Sequence, residues 1–538
     1  MNEKRRNWIV VLVALGLFVG GFGPLFLILD PLDLHLVDRL SGDFDAAALA
    51  VPPESMVYVG VNLLGAERER LEAVGAQFAA TGDGGILAEM GLSLEEDVLP
   101  WVGQYLGWAL VNVEADSFNQ TAVFHWVLII EARSTGPADD FLMQLGQKWA
   151  ARGGTTATTQ RYEGVDLTVF PDLAMGRNGR LLLISSDVAT VQQAIDAKNG
   201  RAIDETDVYA EAVISLPPSR LLTVFVNGAD LPTLRDAASV LSGTNLGFVP
   251  VADVYSVGVG GFLVDAGVRL DMATTYDRAA LSPGRLAAVD SVLAQPQTAV
   301  YFPANTILYL AGQPFSQTWA AFIETEGADV AESMLLLGQR FGFDPAAAIF
   351  PLLDGVAAVG LMPGSDGLLA AQTGLNVEGV ALLGTSQPDQ VQQPLDGLLA
   401  AIRAIPLPIA KLTDFPVGSG QVTEIEATLG SSLRLAVGAT DGYMVVATTG
   451  TAAQSLRFDN ANTLAQTPAF QQVVELYARE NAPTFYLDVA GLRGAMREEG
   501  DEGLTAVAAS LQPIHTIAAN ANVVEGIALN RIYLVLEK

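Results

Sequence analysis

No cysteine occurs among the 538 residues. That excludes disulfides, thiolate nucleophiles, cysteine-ligated zinc and a lipidated lipobox together. The folded chain must therefore be held by core packing. Basic residues are also scarce: 29 Lys and Arg stand against 60 Asp and Glu, a formal net charge of −31. Such a surface repels phosphate backbones and anionic headgroups, so nucleic acid is not expected as a partner. Lysine is confined to Lys4, Lys148, Lys198, Lys411 and Lys538, which reads as genome composition. Three histidines occur, His35, His125 and His515, none with a second His at ligand spacing, and HExxH is absent. The G-x-S-x-G elbow and the Walker loop are missing too; Ser365 and Ser419 lie in turn-like sequence. Gly258, Gly260 and Gly261 lack the third glycine and the opening helix of a dinucleotide loop, and a close backbone crossing in a sheet explains them better. No catalytic residue, metal ligand or cofactor is assigned.

What is present begins with an uncharged run, Trp8 to Leu29 (WIVVLVALGLFVGGFGPLFLIL). As a helix rising ~1.5 Å per residue it reaches across a bilayer core of about 30 Å. Lys4, Arg5 and Arg6 precede it and Asp30 closes it. The positive flank predicts a cytoplasmic N-terminus and an extracytoplasmic bulk, a single pass in the cell membrane. The run is longer than a signal-peptide core, so an uncleaved signal anchor is expected in place of a cleaved leader. Residues 1–7 are then a cytoplasmic tail, 8–29 the anchor and 30–50 a stalk.

Beyond the stalk the chain reads twice. VPPESMVYVGVNL (Val51 to Leu63) is a strand with apolar residues on both faces. Strands are expected at 105–113, 124–133, 155–161, 165–170 and 180–185, and helices at 66–90 and 138–151. Asp187 is placed to cap a helix that Asn199-Gly200 closes. YFPANTILYLAGQP (Tyr301 to Pro314) then repeats the opening 251 residues on: Pro303 falls on Pro52 and Tyr309 on Tyr58. The same offset sets GFDPAAAIFPLLDGVAAVGL on GLSLEEDVLPWVGQYLGWAL. An offset of 261 sets TPAFQQVV on TDVYAEAV and TFYLDVAGL on TVFVNGADL. Order and spacing agree where identity is low, which points to tandem duplication. The predicted class is α+β: a transmembrane helix, then two related repeats, each an antiparallel sheet with helices packed on one face. The first repeat spans 51–277, a linker 278–298 and the second repeat 299–538. Residues 405–421, with Pro406, Pro408 and Pro416, are expected as a loop insertion in the second.

The anchor, the VPPESMVYVGVNL opening, the GLSLEEDVLPWVG stretch and the FVNGADL strand end together resemble a bacterial membrane-anchored family catalogued as domain of unknown function 3352. The resemblance covers nearly all of the chain after the anchor. It implies topology and architecture, and brings no activity or catalytic residues with it.

Two features remain. Trp101, Tyr105, Trp108 and Trp126 concentrate aromatic character in the first repeat, where the second is lighter (Leu352, Val356, Val359). Core packing is the plain reading; the other is a ligand or partner surface. Glu95, Glu96 and Asp97 have alanine counterparts at 346–348, so the scaffold does not require them, and Glu498, Glu499, Asp501 and Glu502 lack calcium-loop spacing. Three functions fit: a non-catalytic binding or scaffold module at the envelope, a carrier or sensor of an apolar, lipid-like ligand, or an enzyme with a carboxylate site invisible as a motif. The first is favoured, with the membrane as one partner through Trp8–Leu29 and an envelope protein or apolar ligand as another.

Overall fold

The structure is a computed structural model. Apart from single positions within them, it describes residues 45–63, 97–116, 121–242, 253–286, 297–325, 344–364, 376–404, 410–428, 432–477, 483–498, 505, 508–509, 511–524 and 527–537. The expected anchor, most of the stalk and the helix expected at 66–90 lie outside the described residues. Among those described, no helix is long and apolar enough to cross a membrane. The chain divides into two compact units, Met1–Ala280 and Leu281–Lys538.

The first unit is one antiparallel sheet. Its strands are β1 (Val57–Asn62), β2 (Val102–Asp116), β3 (Thr121–Ala132), β4 (Thr158–Tyr162), β5 (Val165–Phe170), β6 (Leu173–Asn178), β7 (Leu181–Ser185), β8 (Leu222–Asn227), β9 (Val254–Val264) and β10 (Gly267–Tyr276). They lie in the order β4-β5-β6-β7-β3-β2-β1-β8-β9-β10. The period of two along β1 and β2 sends alternate apolar residues to opposite faces. Tyr58, Ala109 and Val111 join one buried cluster; Leu110 joins another with Met56, just ahead of β1, and with Val113, which the irregularity between Leu110 and Asn112 turns to that side. Hence the unit needs cover on both faces.

The helices supply it. The helices α1 (Thr135–Gly153), α2 (Val188–Asn199), α3 (Asp207–Ile214) and α4 (Leu231–Ser242) follow one another along this unit. Val191, Ala194 and Ile195 of α2 and Tyr209 and Ala212 of α3 pack with Tyr58, Val127 and Ile129. Leu234 and Ala237 of α4 pack on the reverse face with Leu110 and Trp126. The expectation of helices on one face is thus corrected: every central strand is apolar on both sides, and a one-sided layer would leave Leu110 and Val113 in water. Asp187 caps α2 as expected, accepting from Thr190 N–H at 2.8 Å. Gly258 lies under α3, where a Cβ would stand 2.1 Å from the Ala212 carbonyl oxygen, the close crossing that the glycines of β9 suggested.

The second unit has strands β11 (Leu308–Pro314), β12 (Val356–Pro363), β13 (Val377–Gly384), β14 (Ala410–Val417), β15 (Gly420–Thr428), β16 (Ser432–Thr440), β17 (Tyr443–Ala447), β18 (Phe485–Asp488), β19 (Ile514–Val524) and β20 (Ile527–Leu536). Their order is β14-β15-β16-β17-β13-β12-β11-β18-β19-β20, strand for strand that of the first unit. Its helices are α5 (Phe315–Thr325), α6 (Pro345–Ala348), α7 (Pro388–Ala404), α8 (Gly450–Gln454), α9 (Pro468–Leu476) and α10 (Val489–Glu498). Val391 and Leu395 of α7 cover Leu383 and Met444 on one face; Phe470 of α9 meets Tyr309 and Tyr486 on the other.

Two local expectations fail for stated reasons. Residues 410–417 are strand β14, not loop: Pro416 sits on the outermost strand, where a missing N–H breaks no ladder on its open side. Strand β6 was not expected, because Gly176 and the polar pair Arg177-Asn178 break the apolar pattern; Gly176 is there because a Cβ would stand 2.7 Å from Leu167.

Candidate functional site

The four aromatics singled out in the sequence do not form one surface. Trp101 is in the core, its ring 5.1 Å from Phe141 and its indole N–H donating to the Asp97 carbonyl at 2.6 Å. Tyr105 packs on the Tyr58 face and its hydroxyl accepts from Gln104 at 2.8 Å. Trp108 and Trp126 do come together, on the reverse face, where they are half-buried beneath Leu234 and Ala237 of α4. The sheet's alternation separates Tyr105 from Trp108, since an odd spacing along a strand puts two residues on opposite faces.

The described chemistry gathers instead at His125, on β3. Its Nδ1 faces Asp187 Oδ2 at 2.9 Å and its Nε2 lies 3.6 Å from Glu114 Oε1 on β2. Asp187 also accepts from the Thr190 N–H and hydroxyl, both at 2.8 Å, and from the Ser186 hydroxyl at 3.0 Å. Burial alone would raise its pKa; the hydrogen bonds from His125, Thr190 and Ser186 outweigh that and hold the carboxyl below its ordinary range. An ionised Asp187 only accepts, so His125 Nδ1 carries the proton of this pair and donates it. Nε2 is buried and has no hydrogen-bond partner. The pair has the geometry of a base held by its orienter, which a nucleophile would have to complete. Ser186 does not complete it, because its hydroxyl is turned to Asp187 and accepts the Trp126 N–H at 3.1 Å. Glu114 and Asp187 flank opposite ring nitrogens and cannot close on one ion; among the described residues no group of His, Asp and Glu is placed to hold a metal. In the sequence His125 is one of three histidines without a second His at ligand spacing. Asp187 was found as a helix cap, but its second role, 62 residues away across the sheet, has no local signal.

A second polar pair lies on the same face. Tyr58 is fully buried and donates to Asp45 Oδ2 at 2.5 Å, while the Ala47 N–H donates to Oδ1 at 3.0 Å. Asp45 as a residue is half-buried, with its carboxylate turned inward. Desolvation pushes that carboxyl up to about 6, against hydrogen bonds from Tyr58, Ala47 and Ala48 and the charge of Arg220 that pull it down. The Tyr58 ring is 6.2 Å from Tyr209, which is 5.4 Å from Phe225. The second unit holds the same triad: Tyr309 is 6.1 Å from Phe470, which is 5.2 Å from Tyr486. There the phenol meets a neutral partner, Thr298 Oγ1, at 2.8 Å.

Of the remaining residues, Ser419 occupies the β14–β15 turn and donates to Asp441 at 2.7 Å, and His515 Nδ1 meets its neighbour Thr516 at 2.8 Å. His35, Ser365, Glu95, Glu96, Glu499, Asp501 and Glu502 lie outside the described residues.

No curated protein matches the sequence. Among solved structures, crystal form IV of TP0453 aligns at 7% identity and TM-score 0.27, covering 43% of this chain and 81% of that one. Crystal form III aligns at 8% and 0.28, covering 46% and 85%. Likenesses this low carry no argument. One family comparison does reach across the molecule: residues 66–526 match the family described as "Protein of unknown function (DUF3352)", so the chain, as its opening, turn and strand-end motifs suggested, belongs to that family.

Proposed function

We propose that this is a single-pass, membrane-anchored, extracytoplasmic binding or scaffold module without catalysis, built from two copies of one sheet unit. One observation carries the reading: the two units share strand order, turns and an aromatic hub, yet differ in their polar chemistry. The turn before the central strand illustrates the sharing. Ser55 Oγ donates to the Pro52 carbonyl at 2.7 Å, and Thr306 Oγ1, 251 residues on, donates to the Pro303 carbonyl at 2.7 Å. The helix cap Thr206 donates to Ile203 O at 2.7 Å, and its counterpart Thr467 to Leu464 O at 2.9 Å. The polar residues differ: β-ladder positions equate His125 with Glu378 and Asp187 with Thr449. A fold that persists without the His125 group does not need it to stand. The packed cores of both units suit a rigid support, and the absence of cysteine leaves that support indifferent to the redox state outside the cell.

The test is topological and uses the cysteine-free background. Single substitutions Lys4→Cys and Ile214→Cys, the latter at a side chain 81% exposed, are probed in intact cells with a membrane-impermeant maleimide. Labelling of position 214 alone, with position 4 reached only after permeabilisation, supports the reading. Labelling of position 4 first, or release of the protein by a salt wash, overturns it.

A further inference from the structure

The chain reaches the first sheet through residues 45–51, and Asp45 is set into the floor that receives them. Ala47, Ala48, Ala50 and Val51 are fully buried. The Ala50 N–H donates to Ala47 O at 3.0 Å, the Val51 N–H to Ala48 O at 3.1 Å, and the Ile203 N–H to Val51 O at 3.0 Å. The sheet is bare beneath them. A Cβ on Gly60 would stand 2.3 Å from Asp45 Oδ2, and one on Gly107 2.7 Å from Ala47 Cβ. The corresponding positions 251 residues on are Ala311 and Ala358, both buried, and there Thr298 replaces the incoming carboxylate. One unit thus receives its leading segment through an ionisable side chain sunk into a glycine-lined recess, the other through a neutral hydroxyl.

We propose that Asp45–Val51 is a proton-gated latch, held more tightly on the first sheet when the Asp45 carboxyl is protonated, its O–H then donating to the Tyr58 oxygen across the same contact, and more loosely when that proton leaves. The groups that face the carboxyl are the Tyr58 hydroxyl from β1, the Ala47 and Ala48 N–H groups from the latch itself, the Arg220 guanidinium ahead of β8 and the Tyr105 ring from β2. Tyr209 of α3 and Asp204 of the turn before it act on Tyr58, and Glu131 of β3 on Tyr105. Only Arg220 among them is cationic, and its guanidinium is already engaged with Thr223 at 2.9 Å and the Pro217 carbonyl at 3.2 Å. Closed, the carboxyl titrates at about 6; solvated, at its ordinary 3.8. A raised folded value makes closing take up a proton between those two. The latch is therefore tightest below about pH 4 and weakens about a hundredfold as pH rises through about 6, with no further change above. The control in the other unit is silent over this range, because burial pushes the Tyr309 phenol up to about 12 and Thr298 does not titrate. The inference does not depend on where the protein resides.

Hydrogen exchange of the full chain tests it. Protection of the Ala50 and Val51 amides, corrected for intrinsic exchange, is followed from about pH 4 to about pH 7.5, with the Tyr301 amide (donating to Thr298 O at 2.9 Å) as the internal reference. Expected is a fall of about a hundredfold at Ala50 and Val51 with Tyr301 flat. Asp45→Asn should erase the slope. Tyr58→Phe removes a hydrogen bond to the carboxylate and should move the midpoint above about 6. Flat protection in the wild type, a parallel fall at Tyr301, or an unchanged slope in Asp45→Asn would overturn the latch.

Discussion

The two units have one strand order in common, and their differences separate what that order requires from what it tolerates. Both keep a central tyrosine, a second ring from the helix that crosses it and a third from the neighbouring strand. The ring chemistry permutes, Tyr58–Tyr209–Phe225 in one and Tyr309–Phe470–Tyr486 in the other, while the separations hold. Volume at the hub is kept and hydroxyls are moved about. Around it the packing trades in pairs. The first unit has Val51 beside Ala109; the second has Phe302 beside Gly360, where a Cβ would stand 2.4 Å from the larger ring. The reverse faces differ most. Val59 is 2% exposed, yet its counterpart Leu310 is 49% exposed, and Val359, which replaces Trp108, is 36% exposed. Helix α4 packs against β2 and β3, whereas α10 packs against β19.

The strongest challenge to this equivalence is at the hub. Tyr58→Ala and Tyr309→Ala should each cost about 3–5 kcal/mol, read as loss of one unfolding transition in denaturant melts. If one costs under about 1 kcal/mol, the hubs are not equivalent. Next come the recess glycines. Gly60→Ala and Gly107→Ala should destabilise the first unit by about 1–3 kcal/mol through overpacking against Asp45 and Ala47. The second unit already carries alanine at both places, so Ala311→Gly and Ala358→Gly should cost about 1 kcal/mol by losing a buried methyl and gaining backbone freedom.

The capping pair gives a smaller contrast. Asp187→Ala and Thr449→Ala each remove a helix cap and should cost about 1 kcal/mol. A double-mutant cycle of Asp187→Asn with His125→Gln isolates the additional bond, expected at about 0.5–1.5 kcal/mol. Its pH dependence is opposite in sign to that of Asp45. The Asp187 carboxyl is held below its ordinary value, so its stabilisation is complete above about pH 4 and is lost as acid protonates it. Thr449 does not titrate, so the acid sensitivity that Asp187 adds should disappear in Asp187→Thr, read as the first unit's urea midpoint against pH. The smallest effect belongs to the open face: Leu310→Ala should change stability by less than about 0.5 kcal/mol, against about 2 kcal/mol for Val59→Ala. A large loss at Leu310 would mean that the face is covered in solution.

Much of this architecture was readable in the sequence because it is written locally. Val57 to Asn62 carries apolar residues on both faces of a short strand, Asp187 and Asn199-Gly200 bracket a helix, and the constant offsets of 251 and 261 mark positions that sit in similar turns and rings. Less readable were elements whose cause is non-local. Strand β6 is set by its neighbours more than by its own pattern. Strand β14 tolerates Pro416 only because it is outermost. The polar groups were hardest of all: Asp45 looked like stalk and His125 like an isolated histidine, since their partners Tyr58 and Asp187 lie 13 and 62 residues away. The aromatic set misled for the opposite reason, as residues close in sequence were separated by the faces of one sheet.

The strand order also sets the pace at which this protein can assemble. β1 lies between β2 and β8, so Val57 must wait for Val226, roughly 170 residues further along, before the centre of the first sheet closes. Leu308 and Leu487 impose the same wait on the second. By contrast β4 through β7 pair with immediate neighbours and can form while the centre is still open. Pulse-labelled refolding should therefore show amide protection in the β4–β7 and β14–β17 meanders well before β1 and β11. Until the late strands arrive, each central strand presents two apolar faces and an unpaired edge, so a chain delivered slowly from its N-terminus needs shielding for as long as its own topology keeps it unfinished.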